Sequence, residues 1–94
     1  MLAKMPARHF QVLRVGGERF LGLRMKDRWM VIADRCKHKG GPLSLGRWDP
    51  KTCSIVCPWH DQKNTPRELA SQEVPWIRVG DSLRFLVSDA PDDH

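Results

Sequence analysis

Two pairs of cysteine and histidine are the residues of this chain that could hold a metal. Cys36 and His38 are separated by one residue in "CKHKGGPLSLG", and Cys57 and His60 are separated by two residues in "CPWH". Thiolate sulfur and imidazole nitrogen are ligands for zinc and for iron–sulfur clusters. Two such loops packed together would present all four groups to one centre. The spacing therefore predicts either a two-iron cluster or a single zinc ion.

The third cysteine, Cys53, is predicted to stay outside this centre. If residues 53–57 form an extended strand, the Cα atoms of Cys53 and Cys57 lie about 13 Å apart, too far for a disulfide and awkward for one metal site. We expect Cys53 to be small apolar filler facing the same side as Ile55, with a reactive surface thiol as the alternative.

Length and composition favour one small domain, 1–94. The net charge of +5 comes from 16 Lys and Arg that are spread from Lys4 to Arg84, which argues against a dedicated nucleic-acid surface. No apolar run suggests a signal peptide or a membrane span, so a cytoplasmic protein without a membrane partner is expected. Three cysteines without an export signal make a disulfide framework a poor explanation.

The elements that must position these loops are predicted to be short strands. Runs rich in Val, Ile, Phe and Trp, separated by Gly and charged turns, predict an all-β domain with strands at 10–15, 19–25, 28–33, 52–56, 74–79 and 82–87. Residues 34–49 are predicted to form a loop of defined conformation and not a strand. Thr65, Pro66 and Glu68 match a helix start, which predicts a short helix at 66–71. The acidic tail at 89–94 is expected to fray.

The two loops resemble those of the Rieske iron–sulfur proteins, whose signature is Cys-x-His in one loop and Cys-x-x-His in the other. The resemblance is strong over residues 34–60. It implies a small antiparallel β-sandwich with a cluster-binding subdomain at about 34–63. It also implies a [2Fe–2S] cluster held by Cys36 and Cys57 on one iron and by His38 and His60 on the other.

Within that family, the chain resembles a free-standing ferredoxin. The respiratory members carry an extra disulfide between the loops, and Lys39 and Trp59 stand at the positions expected for it. The oxygenases add a catalytic iron held by two histidines and a carboxylate, and only His9 and His94 remain for such a site. The resemblance thus implies an electron carrier, not an enzyme, that takes electrons from a flavin reductase and shuttles them to an iron oxygenase or a similar redox enzyme.

Two alternatives remain open, namely a small Rieske-like subunit of a larger reductase such as nitrite reductase, and a structural zinc or interaction module. The chain also departs from the family after His60, where a glycine and an aromatic-rich strand usually follow. Here the sequence reads "DQKNTPREL". We expect a polar loop and the short helix to replace that strand, so the segment from Asp61 to Ser71 would form a partner surface unlike that of other ferredoxins.

Overall fold

The computed structural model describes residues 2–26, 28–35, 42–57 and 63–87. Its strands are antiparallel, as predicted, and one short α-helix follows the second loop, so the all-β fold class is confirmed. The elements in chain order are β1 (Leu2–Pro6), β2 (Gln11–Val15), β3 (Glu18–Met25), β4 (Arg28–Ala33), a 3₁₀ helix (Leu43–Leu45), β5 (Arg47–Asp49), β6 (Ser54–Val56), β7 (Lys63–Asn64), α1 (Pro66–Ala70), β8 (Trp76–Val79) and β9 (Ser82–Leu86).

The described strands form three three-stranded sheets, with strand orders β1-β9-β8, β2-β3-β4 and β5-β6-β7. The sheet β2-β3-β4 lies between the other two, and its strands β3 and β4 bury residues on both faces. Alternate residues of β3 and β4 therefore enter two different cores, which explains the uncharged runs at 20–23 and 29–33. A Cβ atom on Gly22 would lie 3.1 Å from the sulfur of Met5, so glycine allows β1 to pack closely on β3.

The first core lies between β2-β3-β4 and the sheet β5-β6-β7, and the second lies between β2-β3-β4 and β1-β9-β8. The buried members of the first core are Leu21, Leu23, Met25, Met30, Ile32, Leu43, Ile55, Cys57 and Leu69. The buried members of the second core are Ala3, Met5, Phe20, Val31, Leu83, Phe85 and Val87. Cys57, the predicted metal ligand that the structure describes, belongs to the first core.

The sequence pattern predicted six of the nine described strands to within about two residues at most boundaries. It missed β1, because this short strand near the start of the sequence contains a lysine and a proline, which are uncommon in strands. It also missed β5, which lies inside the region that we had interpreted as loop. The predicted strand at 52–56 is shorter than expected, since residues 50–53 form a turn and only Ser54–Val56 are extended.

The helix after the second loop is confirmed and has the predicted cap. The backbone N–H of Glu68 donates to the Thr65 hydroxyl at 3.3 Å, and the Thr65 N–H donates to the Glu68 carboxylate at 3.0 Å. The expectation that no strand follows the second loop is wrong. Lys63 and Asn64 pair with Val56 and Ile55, so a short strand precedes the helix.

Candidate metal centre

Of the four predicted ligands, the structure describes Cys57. This residue directly follows β6, and its side chain is fully buried in the first core. Cys36, His38 and His60 lie outside the described residues, as do Lys37, Lys39, Trp59, Asp61 and the tail at 88–94. What the structure does describe is the base of each loop, which determines where the loop begins and ends.

The base of the first loop is closed by Asp34 and Ser44. The backbone N–H and the hydroxyl of Ser44 each donate to the Asp34 carboxylate at 2.7 Å, one to each oxygen. The Asp34 side chain has no exposed surface, and Arg19 Nε–H donates to it at 3.4 Å. Because charge-assisted bonds of this kind are short and strong, they hold together the two ends of the segment that contains Cys36 and His38.

Sequence reasoning missed this pair, although its signal was present. Asp34 stands two residues before Cys36, and Ser44 stands two residues after Pro42, the last residue of the Gly-Gly-Pro turn. Asp and Ser near chain reversals commonly bond to nearby backbone groups. The amino-acid sequence alone did not show that Asp34 would be buried and hydrogen-bonded to Ser44 instead of to its immediate neighbours.

The base of the first loop packs directly against the strand that leads to the second loop. A Cβ atom on Gly46 would lie 2.5 Å from the carbonyl oxygen of Val56 and 2.9 Å from the Ile55 side chain. No Cβ atom tolerates that approach to a backbone oxygen, so only glycine lets the chain pass here. The close contact places the end of the first loop beside the start of the second, next to Cys57.

The second loop is a hairpin connection. β6 pairs with β7 on one side and with β5 on the other, with Val56 opposite both Lys63 and Arg47. Cys57, just after β6, and Lys63, at the start of β7, therefore lie at the same end of the sheet. A salt bridge of 3.2 Å joins Lys63 Nζ to Asp49 of β5. The N–H of Lys51 and the ammonium of Lys63 both lower the pKa of the Asp49 carboxyl, which keeps it ionised.

The segment after α1 braces the first loop from another side. The side-chain amide of Gln72 donates to the carbonyl of Arg35 at 2.8 Å, and the N–H of Ala33 donates to the carbonyl of Gln72 at 3.1 Å. Leu69 of the helix is fully buried in the first core. The atypical segment is therefore partly structural, since Leu69 of its helix packs in the first core and Gln72, just after the segment, supports the loop that contains Cys36.

His9 links the body of the domain to the sheet that carries Cys57. Its Nδ1 accepts a hydrogen bond of 3.0 Å from the backbone N–H of Arg24, and its ring meets Trp48 of β5 edge-on at 4.6 Å between centroids. Partial burial lowers the pKa of His9. The imidazole is thus held in its neutral form, with Nδ1 as acceptor. The sequence analysis considered His9 only as one of two histidines left over for a catalytic iron site.

Cys53 is not on a strand, so that prediction is wrong. It lies in the turn before β6 with a φ of +52°, where its direction is set by the turn and not by strand alternation. The predicted role of Cys53 as apolar filler agrees with the structure, because its half-buried side chain packs against the first core. It also lines a cavity of about 340 Å³ together with Met25 and Pro66.

Within the described ranges, no three His, Cys, Asp or Glu side chains gather into a possible metal site. Cys57 lies beside the bases of both loops, and the other three predicted ligands are outside the described residues. In the same part of the chain, no helix is long and apolar enough to cross a membrane.

Comparisons with known proteins agree on one family. A family model described as "Rieske [2Fe-2S] domain" matches residues 2–78. A Rieske domain-containing protein from Homo sapiens is 46% identical over 43 residues, which make up 43% of this chain and 27% of the human protein. The chain thus spans about a quarter of that relative's length.

Among solved structures, the chain resembles the ferredoxin of carbazole 1,9a-dioxygenase from Nocardioides aromaticivorans IC177. The TM-score is 0.61, and the match covers 87% of this chain and 95% of that ferredoxin. Because the sequence identity is only 16%, this likeness concerns the fold.

Proposed function

Because this chain belongs to the Rieske [2Fe–2S] domain family, a family of cluster-binding electron-transfer proteins, we propose that it is a carrier that delivers single electrons to an iron-containing oxygenase. In this proposal the chain is not itself an enzyme. It receives electrons from a flavin reductase, and the substrate chemistry takes place on another polypeptide. The oxygenase is proposed because the structurally similar ferredoxin belongs to a dioxygenase system.

The proposed ligands are Cys36, His38, Cys57 and His60. Two thiolates and two imidazoles are the donor set of a Rieske cluster, which exchanges one electron at a potential above that of all-cysteine ferredoxins. The surroundings of Cys57 fit this role, since its side chain is buried at the end of a strand beside the base of the other loop. Burial of this kind excludes water, which protects a metal–thiolate bond and influences its potential.

The observation that supports the proposal most directly is the contact between the two loop bases. Asp34 and Ser44 close the first loop, and the approach of Gly46 to Val56 sets that closed loop against the second. A centre that takes ligands from two separate loops needs both of them held at a fixed separation. The described residues provide this support from the core side.

Leu45 offers a contact for the electron-transfer partner. It lies in the 3₁₀ helix that follows the first loop, and 66% of its surface is exposed. Because Leu45 lies at the base of the loop that contains two of the proposed ligands, a partner that docks over the centre would meet this side chain. The net charge of +5 suits docking to an acidic partner surface, as does the position of Lys37 and Lys39 on either side of the proposed ligand His38.

The cluster is tested by anaerobic reconstitution with iron and sulfide. We expect a red-brown protein with about two irons and two sulfides per chain and a rhombic resonance signal after reduction. His60→Cys should lower the reduction potential, and Cys57→Ser should prevent stable incorporation. Cys53→Ser is the matched control and should change neither property. A colourless protein that binds one zinc ion through the same residues would refute the proposal.

Partner docking is tested separately, by stopped-flow oxidation of the reduced protein by an iron oxygenase. Leu45→Asp should slow the second-order rate, whereas Leu2→Asp, which alters a similarly exposed leucine on β1, should not. The rate should also fall as salt is raised, because screening weakens attraction between exposed charges. Equal rates for the two variants would refute the docking role of Leu45 while leaving the cluster assignment intact.

A further inference from the structure

An exposed apolar patch lies on the outer face of the sheet β1-β9-β8. Leu2, Ile77, Val79 and Leu86 form this patch, and between 43% and 59% of the surface of each is exposed. Leu2 pairs directly with Leu86, while the neighbours Ala3 and Phe85 point into the second core. The patch belongs to a different sheet and a different core from Cys57, so electron transfer through the metal centre does not account for it.

A groove of about 260 Å³ runs through this patch, and Arg84 lies inside it with Leu2, Trp76 and Leu86. Arg84 pairs with Lys4 on one side and with Ile77 on the other, so two cations occupy the middle of an apolar surface. The Nε of Arg84 is buried and has no hydrogen-bond partner among the described residues. A buried donor without an acceptor is costly and uncommon in native proteins.

We propose that this patch is a docking surface for a segment of another protein, which places aliphatic side chains on the exposed leucines and a carboxylate on Arg84. A carboxylate satisfies a guanidinium with two parallel hydrogen bonds, which no apolar group can do. Aliphatic side chains on either side would exclude water from that ion pair. In this proposal, one ligand segment supplies both the carboxylate and the aliphatic side chains.

Other occupants fit this surface less well. A second copy of the chain would bring another Arg84 and another Lys4 into the same small interface, and juxtaposed like charges oppose association. The segment 88–94, "SDAPDDH", offers carboxylates but no large apolar side chain to cover the leucines. An anionic membrane places its phosphates outside its acyl chains, whereas Arg84 lines the groove together with apolar side chains.

The test uses the cluster-loaded protein and two acetylated peptides, one alternating leucine with glutamate and one alternating leucine with lysine. We expect the glutamate peptide to shift the amide resonances of β1, β8 and β9 and to bind at least about tenfold more tightly than the lysine peptide. Arg84→Leu should remove that preference. Arg14→Leu removes the same charge from an exposed position on β2 and should retain it. Ile77→Ser should weaken binding of the glutamate peptide.

Several results would overturn the proposal. These are failure of both peptides to bind, resonance shifts confined to other strands, or an unchanged preference in Arg84→Leu. A dimer seen by sedimentation and lost in Ile77→Ser would assign the patch to a second copy instead. Binding to phosphatidylglycerol vesicles that is lost in the same variant would assign it to a membrane. A gain of about tenfold in peptide affinity on removal of residues 88–94 would assign it to the chain's own tail.

Discussion

The carboxylate of Asp34 receives two hydrogen bonds of 2.7 Å from Ser44, ten residues further along the chain. Both predicted ligands of the first loop, Cys36 and His38, lie between these residues in the sequence. The bond pair therefore closes the loop independently of any metal. A loop with fixed ends loses less conformational entropy when its ligands bind, which favours retention of the centre.

Ser44→Ala should weaken this closure. The variant removes the hydroxyl donor to a buried carboxylate, and hydrogen bonds to charged groups are worth about 1.5–3 kcal/mol. We expect a loss of stability in that range and faster bleaching of the cluster absorbance in the presence of a chelator. Ser82→Ala, in the remote strand β9, is the control and should bleach at the original rate. Equal bleaching rates in all three proteins would contradict the role given to Ser44.

Gly46→Ala should disturb the contact between the two loops. The added Cβ atom would lie 2.5 Å from the carbonyl oxygen of Val56, so the backbone must move at the strand that ends beside Cys57. We expect a stability loss of about 1–3 kcal/mol and an altered resonance spectrum of the reduced cluster.

The control for Gly46 is Gly80→Ala, which strains a turn with a φ of +59° but meets no atom within 4 Å. This variant should lose about 1 kcal/mol of stability with an unchanged spectrum. If both alanine variants have the same cluster spectrum as the original protein, Gly46 does not set the geometry of the loops.

His9 should make stability depend on pH. Partial burial lowers the pKa of His9 in the folded protein, so the unfolded chain binds the proton more readily. The contribution of neutral His9 is therefore complete above the unfolded pKa of about 6.5 and is lost as pH falls through that value toward the folded pKa. Protonation also removes the acceptor that binds the Arg24 N–H.

The check for His9 is the difference in thermal midpoint between the original protein and His9→Asn from pH 7.5 to pH 5. Asparagine keeps an oxygen acceptor near the Nδ1 position but does not titrate. We expect the original protein to lose more stability on acidification than the variant. Parallel curves for the two proteins would show that His9 makes no pH-dependent contribution.

Leu69→Ala should cost about 2–5 kcal/mol, because Leu69 is the fully buried residue of α1 in the first core. Urea denaturation measures this change. Leu45→Ala is the matched control, since Leu45 is 66% exposed and its truncation should change stability by less than about 0.5 kcal/mol. A small effect at Leu69 would mean that the atypical helix does not support the domain, in contrast to the described packing.

The amino-acid sequence was sufficient to predict features that depend on residues close to one another along the chain. The capped helix and the strand character of most apolar runs were predicted, because each depends on residue propensity and short-range periodicity. The paired Cys and His motifs were also visible from spacing alone, and the family match agrees with what they indicated.

Only the tertiary structure decided which distant residues support those motifs. The burial of Asp34 and its bond to Ser44, the approach of Gly46 to Val56 and the contact between His9 and Trp48 join segments that no local pattern connects. The same is true of Cys53, whose positive φ places it in a turn and not on the strand expected from the sequence. Propensity acts over a few residues, whereas packing depends on which sheets meet, and that depends on the whole fold.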